Sequence, residues 1–140
     1  LLQFLKVAHK DRGLIFCKTK AATQKLALQL KAKNIAADAI HGDLKQKERD
    51  KAMRAFKNES LQVLVATDLA ARGIDVDGLA FVVHYQLPDK EEYYTHRSGR
   101  TARAGKDGTS LCLVTTREVK QLRYFEKALS IAFSQIRRVG

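Results

Sequence analysis

Between His96 and Gly105 the chain sets His96, Arg97, Arg100 and Arg103 within eight residues, with Gly99 among them and Gly105 just beyond. A guanidinium stays charged at any working pH and presents a planar fork of donors that matches phosphate oxygens in pairs. Arg100 and Arg103 stand three apart, a spacing that projects both heads from one face of a helical turn. Glycine allows a tight backbone path or a close approach beside a charged ligand. The stretch suits a polyanionic phosphate, most simply a nucleoside triphosphate. The competing reading is a solvated basic helix end, where cations complement the carbonyl dipole.

A second stretch, Val65 to Val76, carries polar groups after an apolar run. Thr67, Arg72 and the amide of Gly73 can donate to phosphate oxygens, and Asp75 can accept from a sugar hydroxyl. Each has a plainer reading: Thr67 and Asp68 as caps after a strand, Arg72 as a surface charge, Asp75 as a turn residue.

These groups need a scaffold, and 140 residues is the size of one domain with a real core. The composition is 45% hydrophobic and 29% charged, ordinary for a globular protein. The charge balance is not ordinary: 26 Lys and Arg against 15 Asp and Glu give +11, which favours a polyanionic partner, nucleic acid first. A membrane partner is not expected. There is no basic amphipathic helix with a bulky apolar face, no lipidation signal, no signal peptide and no apolar run of spanning length. Cys17 and Cys112 lie in apolar runs and read as buried free thiols of a reducing intracellular compartment, cytoplasm or nucleus. His9 and His84 are isolated and read as packed or surface histidines; no Cys/His cluster suggests a metal. The chain opens without Met, directly in an amphipathic pattern, and reads as a piece of a longer protein.

Periodicity predicts a helix over 1–10, then a strand at Leu14–Cys17. A helix follows over Ala21–Lys33, capped by Thr19, with Ala22, Leu26 and Leu30 on one stripe. A strand at Ala36–Ile40 leads to His41-Gly42-Asp43, where Asp43 is the expected cap of a helix over Leu44–Phe56. Strands at Leu61–Ala66, Leu79–Tyr85 and Thr109–Val114 follow. An irregular connection is expected over Thr67–Gly78, a helix from Asp89 to about Arg97, a turn at Gly105–Gly108 and a last helix over Thr116–Ala132. The expected division is one domain over 1–132 and a tail over 133–140, which carries Arg137 and Arg138. Alternation of strands and helices argues for an α/β fold, a mostly parallel sheet with helices on both faces and ligands at the carboxyl ends of its strands.

Taken together, the motifs resemble the carboxyl-terminal RecA-like domain of DEAD-box RNA helicases, over nearly the entire chain. Leu14-Ile15-Phe16-Cys17-Lys18-Thr19 is similar to motif IV, and His41-Gly42-Asp43 with Gln46 and Arg49 to the HGD…QxxR signature. Ala66-Thr67-Asp68…Ala71-Arg72-Gly73-Ile74-Asp75 is similar to motif V, and His96-Arg97…Gly99-Arg100…Arg103…Gly105 to motif VI. Ser98 stands where many relatives carry an aliphatic residue, and Ala102 where many carry glycine.

The resemblance implies a three-layer RecA-like domain that forms half of an ATPase site. Arg100 and Arg103 would be arginine fingers on the ATP phosphates, and Asp75 would hold the ribose. Asp68, His96 and Arg97 would couple the nucleotide and RNA sites. Thr19, Gly42, Gln46, Arg49, Thr67, Arg72 and Gly73 would lie along the RNA backbone, single-stranded or short duplex, without reading its sequence. The sequence holds no GxxxxGK[ST] loop and no Asp-Glu-Ala-Asp, so ATP with Mg2+ would also need an amino-terminal RecA-like domain of the same parent chain. Two alternatives stay open: a non-catalytic RNA-binding module with this fold, and a domain of a related superfamily 2 DNA helicase. His96 favours the DEAD-box branch, since the neighbouring branch typically carries glutamine.

Overall fold

A computed structural model describes residues 1–7, 11–72, 79–99 and 109–134. Among these, β1 (Gly13–Cys17), β2 (Ala37–Ile40), β3 (Val63–Thr67), β4 (Phe81–His84) and β5 (Thr109–Cys112) form one sheet in the order β2-β3-β1-β4-β5. Every neighbouring pair is parallel. The helices are α1 (Leu2–Val7), α2 (Lys20–Ala32), α3 (Gln46–Lys57), α4 (Asp68–Arg72), α5 (Glu91–Ser98) and α6 (Val119–Leu129).

The central strands are apolar on both faces, as a sheet covered on both sides requires. Ile15, Cys17, Val63, Val65, Phe81 and Val83 face α2 through Leu26, Ala27 and Leu30. Leu14, Phe16, Leu64, Ala66 and Val82 face the other way, against Ala52 and Phe56 of α3 and Ala70 and Ala71 of α4. The two-residue alternation along β1 and β3 divides the core into these halves. The three-layer α/β fold is therefore the one expected. At Gly13 the backbone passes so close to Phe81 that a Cβ would overlap the ring.

Three local expectations are corrected. Asp43 does not cap α3: the N-cap is Lys45, without a side-chain bond, and the Asp43 carboxylate accepts from Lys20 Nζ at 2.8 Å instead. The connection after β3 is not wholly irregular, because Asp68–Arg72 closes a short helix whose Ala70 amide donates to Thr67 Oγ1 at 3.3 Å. The last helix begins with a 3-10 turn over Thr116–Glu118, held by a capping box between Thr115 and Glu118, and along α6 only Phe125 is buried. Thr19 does cap α2, accepting from the Ala22 amide at 3.1 Å. Phe133, assigned to the tail, packs edge-on against Tyr94.

Candidate functional site

Parallel pairing aligns the strand ends. Cys17 is level with Thr67, Ile40 with Ala66, and Phe16 with His84. The residues that follow these ends, Thr19, His41-Gly42, Asp68 and Gln86, therefore share the carboxyl edge of the sheet. This is where open α/β sheets bind ligands.

Gly42 lies exposed on this edge, with Lys20 the nearest side chain to the space a Cβ would take. The Lys20 ammonium, hydrogen-bonded to Asp43, holds that carboxyl below its usual range. Gln46 is exposed and donates to Asp50 across one helical turn at 2.8 Å, and Arg49 is half-buried on the same helix. Lys18 is fixed from two sides: its amide donates to Gln86 Oε1 at 2.7 Å and its ammonium to Asp89 Oδ1 at 2.7 Å.

The centre of the edge is Arg97. Its side chain is 1% exposed, which a charged group tolerates only when paired and hydrogen-bonded. Nε donates to Asp68 Oδ1 at 2.7 Å and Nη2 to Asp68 Oδ2 at 2.8 Å, a bidentate fork. Nη1 donates to the Gln86 carbonyl at 2.8 Å, and the guanidinium lies over the Phe16 ring at 5.1 Å. One side chain of α5 thus joins the start of α4, the end of β4 and the underside of β1. Beside it, Arg72 is exposed with its guanidinium 5.9 Å from the centre of the Tyr93 ring. His96, one residue before Arg97, is exposed to solvent.

The structure brings Thr19, Gly42, Thr67, Asp68, Arg72, His96 and Arg97 to this one edge and its flanking helices. Gly73, Asp75, Arg100, Arg103, Gly105, Arg137 and Arg138 lie outside the described residues.

His84, expected to be packed or at the surface, is packed, and it also belongs to this edge. The ring is completely buried at the end of β4, with Nδ1 3.4 Å from Arg97 Nη1 and Nε2 3.0 Å from Ser110 Oγ. Burial, and then the Arg97 charge, press its pKa from 6.5 down to about 3. A histidine closing an apolar strand run must find polar partners inside the protein; that requirement was the available signal. Among the described residues, no three His, Cys, Asp or Glu are grouped to hold a metal ion.

Comparison with known proteins agrees with this geometry. The family model described as Helicase conserved C-terminal domain matches residues 1–105. A probable ATP-dependent RNA helicase of Methanocaldococcus jannaschii is 46% identical over 125 residues, covering 89% of this chain and 34% of that protein. The crystal structure of a DEAD box protein from the hyperthermophile Methanococcus jannaschii superposes with a TM-score of 0.84 at 44% identity, covering 94% of this chain and 37% of that one. S. cerevisiae Dbp5 bound to RNA and ADP BeF3 gives a TM-score of 0.81 at 30% identity, covering 89% and 34%. The chain spans about a quarter to a third of the length of the curated relatives it matches. With family model, fold and edge geometry in agreement, the chain belongs to the DEAD-box helicases, as the C-terminal domain of such a protein.

Proposed function

We propose that this domain works within a longer ATP-dependent RNA helicase, where it supplies the arginine fingers for ATP hydrolysis and half of the surface that holds the RNA backbone. The observation that carries the reading is the bidentate Arg97–Asp68 pair. It ties the stretch after β3 to the helix that leads to Arg100 and Arg103. A pair so placed links an RNA-facing segment, Thr67 to Gly73, to a nucleotide-facing one. The yeast relative bound to RNA and ADP BeF3 supports the same pairing of ligands.

In this reading Thr19, Gly42, Gln46, Arg49, Thr67, Arg72 and Gly73 face the sugar-phosphate backbone of single-stranded or short duplex RNA. They grip it without reading sequence. Asp75 faces the ATP ribose and Arg100 and Arg103 its phosphates. Mg2+ falls to the amino-terminal domain of the same parent chain. The chemistry is positioning plus neutralisation of charge on the transferring phosphoryl group, to which an arginine finger contributes about 10³–10⁵ in rate.

The test is RNA-stimulated ATP turnover of the full-length protein, wild type against Arg100→Ala, Arg103→Ala and Arg103→Lys. Each Ala variant should lose about 10³-fold or more, and Lys should rescue little because an ammonium lacks the planar fork. Turnover unchanged in both Ala variants overturns the reading in favour of a non-catalytic RNA-binding module. RNA affinity should fall with salt, at a log–log slope of about −0.7 per phosphate contacted.

A further inference from the structure

A helix satisfies its backbone bonds internally, so its rotation against a sheet is set by side chains alone. On α5 the face turned to the sheet carries Tyr94, Arg97 and Ser98, spaced three and four residues apart. Arg97 reaches Asp68. Tyr94 stacks on the His84 ring, centroids 4.8 Å apart. Ser98, the last residue of α5, has its hydroxyl 2.9 Å from Ser110 Oγ on β5 and 3.4 Å from His84 Nε2 on β4. Tyr94 Oη also stands 3.4 Å from Ser110 Oγ.

The donors fix the state of this cluster. Arginine can only donate, so the contact between Arg97 Nη1 and His84 Nδ1 makes Nδ1 the acceptor. The proton of the neutral ring then sits on Nε2 and is donated to Ser110 Oγ at 3.0 Å. Ser110 in turn is bonded to Ser98. A continuous line runs from the Asp68 carboxylate through Arg97, His84 and Ser110 to the final residue of α5. Arg100 follows Ser98 by two residues in the sequence, and Arg103 by five.

We propose that His84, Ser110 and Ser98 act as a positioning cluster that anchors the carboxyl end of α5, and with it the chain leading to Arg100 and Arg103. The inference rests on the function proposed above and adds residues to it that touch neither nucleotide nor RNA. It also gives Ser98 a purpose: where an aliphatic residue would only pack, the hydroxyl binds the helix end to β4 and β5 at once. Such a line responds as a unit, because a misplacement of about 1 Å at a charged catalytic group costs on the order of 10²-fold in rate.

The experiment uses the full-length protein, with kcat and the KM values for ATP and RNA measured separately for wild type, Ser98→Ala, Ser110→Ala and Ser110→Thr, and thermal melts alongside. Both Ala variants should lose about 10- to 100-fold in kcat while KM for RNA stays within about twofold. Ser110→Thr keeps the hydroxyl and should retain most of kcat. Wild-type kcat in both Ala variants, or a Thr variant as slow as Ala, overturns the proposal. So does a melt that falls while turnover per folded molecule is unchanged. If the wild type itself shows no RNA-stimulated turnover, the proposed function fails, and the cluster is then decided by 15N spectra of the imidazoles. His84 should show an unprotonated Nδ1 and a protonated Nε2 whose signal moves in Ser110→Ala; a proton on Nδ1, or no response to Ser110→Ala, overturns the cluster.

Discussion

Replacing Asp68 by Ala isolates the Arg97–Asp68 pair. The change leaves a guanidinium that is 1% exposed, with the Gln86 carbonyl and His84 Nδ1 as its remaining hydrogen-bond partners among the described residues. Two charge-assisted bonds vanish, each contributing about 1.5–3 kcal/mol, and removing one partner of a buried pair typically costs about 3–5 kcal/mol. Asp68 is itself 29% exposed, so water entering its place compensates in part, and the loss belongs near about 3 kcal/mol. For a domain of this size each kcal/mol lowers the melting temperature by about 3–5 °C, which gives a fall of about 9–15 °C. Urea denaturation of wild type, Asp68→Ala, Arg97→Met and the double variant would measure it. The double variant should recover a large part of the single loss, because an apolar pair leaves no stranded charge. The loss should also persist in about 1 M salt, which screens exposed pairs far more than buried ones. A loss below about 1 kcal/mol, or a double variant that loses the sum of the singles, would show the pair to be an ordinary surface contact.

Three further outcomes follow from the same structure. His84 is held neutral, with its pKa lowered to about 3 against 6.5 when unfolded, so its contribution is intact above pH 6.5 and drains away at up to about 1.4 kcal/mol per pH unit as pH falls toward 3. Acid titration of stability should show this slope in wild type and lose it in His84→Asn. Burial raises Cys17 from 9.0 to about 11, so its native labelling near pH 8 should be slow and speed up on unfolding; Cys112, expected to be buried, is only partly so, and its thiol is raised from 9.0 to about 12. Since the folded state keeps these protons longer than the unfolded one, stability should fall as pH climbs above about 9; rapid labelling of Cys17 in the folded protein would refute its burial. Gly13→Ala should cost about 1–3 kcal/mol by driving a methyl into the Phe81 ring, and an unchanged urea midpoint would show the strands free to part there.

The fold was legible because β1, β3 and β4 are short apolar runs in a chain that otherwise reads largely as helical periods, and a strand apolar on both faces has few places to go other than the inside of a parallel sheet. The site's position was legible for the same reason: chemistry-bearing residues follow the ends of β1, β2 and β3. Partner choice was not. Asp43 looks like a helix cap until Lys20, from the helix before, takes its carboxylate. Arg97 and His96 are neighbours in one basic run, yet one is buried and the other faces water, which depends on the rotation of α5. His84 looked isolated because its partners Arg97, Ser98 and Ser110 lie 13, 14 and 26 positions away in the chain, and only the packing of α5 and β5 against β4 brings them to its ring.

The strand order has a consequence for how the protein reaches this state. β1 sits in the middle, but its two partners begin about fifty and nearly seventy residues later in the chain, at Val63 and Phe81. The first strand made is therefore the one that waits longest for neighbours, and closing those long loops comes before any reward from pairing. A nascent or truncated chain that stops short of β4 leaves one whole edge of β1 open, a surface that pairs readily with other chains. Arg97 follows β4 in the chain and lies on α5, so the Asp68–Arg97 pair is expected to form only once β4 has docked. An interaction made that late acts mainly as a brake on opening: its loss in Asp68→Ala should speed unfolding far more than it slows refolding, as stopped-flow kinetics would read directly.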